Sequence, residues 1–62
     1  MISEHTRNRV LAWPREQKLS ALKELQAKGE FNMLVELSKV YLTTPISEGG
    51  LPSELIEQTL EP

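Results

Sequence analysis

The sequence predicts an all-α protein: a small helical domain of three helices plus a short C-terminal fourth, built on a core helical hairpin over residues 15–43. Helix formers (Leu, Glu, Lys, Ala, Gln and Arg) dominate residues 15–42, and no run there alternates apolar with polar as a half-buried strand does. The 62 residues leave room for a single domain, 1–62. That is near the lower limit at which one core stabilises itself without disulfides, a metal or a second copy of the chain.

The first helix is expected from about Glu4 to Ala12. Ser3 is placed to cap it, and Ile2, Thr6, Val10 and Trp13 fall near one face at about 100° per residue. Pro14 ends it. A proline disfavours helical geometry at the residue before it yet suits the start of a new helix, and Glu16 adds a negative charge in the next first turn. The second helix, about Arg15 to Lys28, carries Leu19, Leu22 and Leu25 in a narrow stripe, with Glu24 and Lys28 at pairing distance i,i+4. Gly29 stands where a left-handed C-cap is needed, and Phe31 opens the third helix almost at once.

That third helix, about Phe31 to Thr43, is apolar on most of its circumference. Phe31, Leu34, Val35, Ser38, Tyr41 and Leu42 share one face, and Met33, Leu37 and Val40 form a second strip. A helix of this kind must be covered from two directions, by its own chain or by another subunit. Met33, Leu37 and Val40 are therefore the expected self-association strip of a homodimer. Thr43, Thr44 and Pro45 stop the helix, and a loop through Gly49, Gly50 and Leu51 follows. Thr44 before Pro45 has the form of a phosphorylation site and equally of an ordinary helix end. A short amphipathic helix then starts at Pro52 or Ser53, with Leu55, Ile56, Thr59 and Leu60 on one side and Glu54, Glu57 and Glu61 on the other.

Cysteine is absent, so neither a disulfide framework nor a thiolate zinc site is available, and self-association is the remaining staple. The net charge of −2 is unevenly spread. Residues 1–28 hold six bases (Arg7, Arg9, Arg15, Lys18, Lys23, Lys28) against three acids, whereas residues 29–62 hold Lys39 alone against six glutamates. Opposite signs in the two halves favour packing them together before they favour an outside partner. Met1 to Ala12 carries Glu4, Arg7 and Arg9 and lacks the apolar stretch of a signal peptide, and no later run approaches a membrane span, so the expected location is cytoplasmic with no membrane contact.

Catalysis is not expected. His5 is the sole histidine and there is no cysteine or aspartate, which leaves His5 with neither a metal co-ligand nor an aspartate to orient it as a base. No catalytic, cofactor-binding or metal-ligating residues are assigned, and no cofactor is expected. Gly49 and Gly50 stand alone beside acidic Glu48 and do not make a phosphate loop. Helix-turn-helix DNA binding is disfavoured because the helix from Phe31 offers Met33, Leu37, Val40 and Glu36 where a reading helix needs polar donors.

The expected function is a non-enzymatic protein-binding adaptor or regulatory modulator acting as a small helical oligomer. The size suits an accessory protein of a phage or bacterium. Its partner, another protein, is expected on the basic N-terminal half at Arg7, Arg9, Arg15 and Lys18, with Trp13 at the edge. The alternative is a nucleic-acid-binding regulator that uses the same basic residues on phosphates.

Overall fold

A computed structural model describes residues 2–61. The element order is α1 (Glu4–Ala12), α2 (Arg15–Lys28), α3 (Phe31–Thr43), a 3₁₀ turn (Ile46–Glu48) and α4 (Ser53–Leu60). The fold is all-α, as the composition predicts, and the helix limits follow the capping chemistry. The Ser3 hydroxyl accepts from the Thr6 N–H at 3.2 Å, so one of the orphan donors of α1 is satisfied locally. Gly29 ends α2 at φ 74°. Its N–H reaches the Gln26 carbonyl at 3.1 Å and the Glu30 N–H reaches that of Leu25 at 3.0 Å, the paired bonds of a Schellman cap.

The α2 helix is the centre of the molecule, packed against both α3 and α4. The core is Val10, Leu22, Leu34, Leu37, Tyr41, Leu51 and Ile56, with Leu19, Leu25, Val40, Leu55 and Leu60 packed around it. The stripe expected on α2 and the apolar side of α4 are both in place. On α3 the covered arc differs from the expected one. Leu34, Leu37 and Tyr41 face inward, while Phe31, Val35 and Leu42 stand in water. The helix is apolar on so many sides that periodicity alone does not say which arc a neighbour covers.

Two polar contacts join the pieces. The Tyr41 hydroxyl donates to the Val10 carbonyl at 3.1 Å in the interior. That carbonyl's helical partner at i+4 is Pro14, which has no N–H, so the tyrosine satisfies an acceptor that the proline leaves orphaned. At α2, Lys18 is only 6% exposed, and its ammonium donates to the Gly49 carbonyl at 2.7 Å and lies 5.7 Å from the centre of the Tyr41 ring. A buried cation is tolerated here because a carbonyl and a ring face replace its water. The loop after α3 is thereby pinned to α2.

The Lys18 contact gives a first test. Lys18→Met keeps the apolar stem and removes the donor, so a loss of about 1–3 kcal/mol is expected in urea unfolding. A stability equal to that of the unaltered protein would mean that the ammonium contributes nothing to holding the loop.

Candidate functional site

The three longest helices leave an open groove of about 270 Å³ between them. It forms because α1 carries Thr6 and Val10 on the face that continues from Ile2 to Trp13, and this face does not close completely on α2 and α3. Ala21, Glu24, Leu25 and Lys28 supply the α2 wall, and Met33 and Leu37 supply the α3 wall. The lining is largely apolar. Trp13 is half-buried, packed on the core by one side and open to the groove by another. Met33 is 48% exposed. At the rim, Lys28 and Glu24 pair at 3.0 Å, and this hydrogen bond and charge hold the Lys28 ammonium above its ordinary pKa. The rim is thus locally neutral, and no buried side-chain nitrogen or oxygen among the described residues lacks a hydrogen-bond partner.

The residues expected to bind a partner are placed differently from one another. Trp13 lines the groove, and Arg9, exposed on α1, lies one residue before groove-lining Val10 and one turn before Trp13. Arg7 is tied by its guanidinium to the Thr44 hydroxyl at 3.2 Å and lines a separate polar crease with Asn8, Thr44 and acidic Glu48. Arg15 is exposed in the first turn of α2 and does not line the groove. Lys18 does not belong to a basic surface at all. Its place there is corrected by its burial against Gly49 and Tyr41, where the low-polarity interior is compensated by the carbonyl.

The strip of Met33, Leu37 and Val40 is divided in the same way. Leu37 is buried in the core and Val40 is packed partly against it, so their own chain covers them and Met33 alone remains open. Thr44 is also interior: its hydroxyl donates to the Val40 carbonyl at 2.7 Å while accepting from Arg7, so it is not presented for phosphorylation. The groove itself was not foreseen from sequence. Its signal in the sequence is the α1 face from Ile2 to Trp13, which has the form of a packing stripe.

Among the described residues no group of three or more histidine, cysteine, aspartate or glutamate side chains is placed to hold a metal ion. His5 is exposed in the first turn of α1. No helix among them is long and apolar enough to cross a membrane.

The helices and groove define the class as a small α-helical domain with an open apolar cleft. Comparison with protein-family models, with curated proteins and with solved structures finds no match in any of the three.

Proposed function

We propose that this chain is a non-enzymatic adaptor or regulatory modulator that binds another protein through the groove and acts as a small helical oligomer. The observation that carries the reading is the open apolar cleft walled by Trp13 and Met33. Its volume is at the lower edge of the range for small-molecule sites, about 300–1,000 Å³, and its lining lacks the convergent polar groups that orient such ligands. Apolar anchors of an amphipathic helix suit it better, because a helix lays residues at i, i+3 and i+4 into a cleft and keeps its polar side in water. Arg9, exposed on α1 one turn before groove-lining Trp13, favours a partner helix whose polar side is acidic. Nucleic-acid binding is the weaker reading, since Lys18 is spent inside and Arg7 shares its crease with Glu48.

The chain has one tryptophan, so its emission reports on the groove without labelling. Titration with amphipathic helical peptides of about 15 residues, one set with acidic and one with basic polar faces, is expected to shift Trp13 emission for the acidic set. Met33→Glu places a carboxylate in the apolar wall and should weaken that binding by about tenfold or more, equivalent to about 1.4 kcal/mol. Indifference of Trp13 to every peptide, or of binding to Met33→Glu, removes the groove from consideration. A response to DNA or RNA that falls steeply with salt would favour the nucleic-acid reading instead.

A further inference from the structure

The solvent-facing arc of α3 carries large apolar side chains that stand about half exposed among the described residues. Phe31 is 61% exposed, Val35 51% and Leu42 48%, and beyond the helix the 3₁₀ turn adds Ile46 at 61%. Half-buried Ser38 lies between Val35 and Leu42. Along the helix the positions are 31, 35, 38 and 42, a spacing of four, three and four that keeps them on one line of the surface. None of the four is charged. This arc lies on a different side of α3 from Leu37, Met33 and the groove.

We infer that the arc Phe31, Val35, Ser38 and Leu42 is the face through which two copies of this chain pack, α3 against α3 in antiparallel orientation. The spacing reads the same in both directions, so a two-fold axis at the level of residues 36 and 37 sets Phe31 against the partner's Leu42 and Val35 against the partner's Ser38. One patch therefore complements itself, as an isologous interface requires. Ser38 is small, and opposite Val35 it lets the two helices approach to the 8–10 Å of ordinary helix packing.

The molecule exposes 4483 Å², whereas a compact monomer of 7.1 kDa is expected to expose about 4,100 Å². Phe31, Val35, Leu42 and Ile46 together leave on the order of 400 Å² in water. Two copies thus withdraw at most about 800 Å² through these side chains, so reaching the roughly 1,200 Å² at which stable interfaces begin requires the residues flanking the seam as well. With no cysteine in the chain, this seam is the staple that a 62-residue domain otherwise lacks.

The inference rests on the oligomeric part of the proposed function and is independent of what fills the groove. Sedimentation equilibrium of the full chain, from micromolar to high-micromolar concentration, is expected to give a mass approaching twice 7.1 kDa. Val35→Glu and Leu42→Glu, each at an exposed position that spares the core, should raise the dissociation constant at least about tenfold, with helical circular dichroism and the Trp13 response to peptide retained. The double change Val35→Cys with Ser38→Cys should link two copies on oxidation, whereas Ser38→Cys alone, which faces its own copy only in a parallel pair, should not. A monomer at every concentration overturns both the interface and the oligomeric reading. A dimer that survives both glutamate variants overturns the interface alone.

Discussion

Gly50→Ala is expected to lose about 3 kcal/mol or more, a third or more of the stability of a domain held together by roughly 3–9 kcal/mol. A Cβ at Gly50 would run into the backbone carbonyl of Thr44 and stand 2.8 Å from that of Tyr41. Neither is the free end of a flexible side chain. The Gly50 N–H bonds the Pro45 carbonyl and the Leu51 N–H bonds that of Tyr41, both at 3.0 Å, so the backbone that would have to move is held on either side. Leu51 sits in the core just beyond, and displacing the loop would withdraw it. Gly29→Ala is the matched control. Nothing lies within 4 Å of a Cβ there, and only the positive φ of 74° opposes it, at a cost of about 1–2 kcal/mol. Urea midpoints of the two variants decide the matter: equal losses would show that the loop yields freely and that its closeness to α3 contributes nothing.

Tyr41→Phe is expected to destabilise the protein by about 1–3 kcal/mol at neutral pH, because the buried Val10 carbonyl then has no donor and Pro14 has none to offer. The same side chain sets the alkaline limit. Burial pushes the Tyr41 hydroxyl up to about 12, whereas in the unfolded chain it ionises near 10. The native state holds this proton more tightly than the unfolded state does. Its contribution is therefore intact below about pH 10, and is lost as the pH rises from there through about 12, by up to about 3 kcal/mol. Thermal or urea midpoints measured across this range should fall for the unaltered chain and fall less for Tyr41→Phe. Identical slopes would show that the hydroxyl is not responsible.

The limits of the helices were legible in the sequence because their causes are local. Ser3, Pro14 and Gly29 each act on backbone groups within a few residues, so α1, α2 and α3 begin and end where capping chemistry places them. The 3₁₀ turn at Ile46–Glu48 was not legible, since its bonds to Pro45 and Ile46 lie in a loop without periodic pattern. Leu19, Leu22 and Leu25 were also legible, as the only apolar stripe of an otherwise polar helix.

On α3 the same reasoning stops short. Met33, Leu37 and Val40 look equivalent in sequence, yet Met33 stands exposed on the groove wall, Leu37 is buried in the core at its base and Val40 is packed partly against that core. Lys18 likewise reads as one more surface base. The sequence by itself determined an all-α chain, its helix limits and the inward faces of α2 and α4, since spacing along one helix is sufficient for these. Tertiary structure alone decided which arc of α3 is covered, why Phe31, Val35 and Leu42 are left in water, and that Lys18 turns inward. Burial depends on which elements meet, and the partners of Lys18 at Gly49 and of Tyr41 at Val10 are each 31 residues away, beyond the reach of any local pattern.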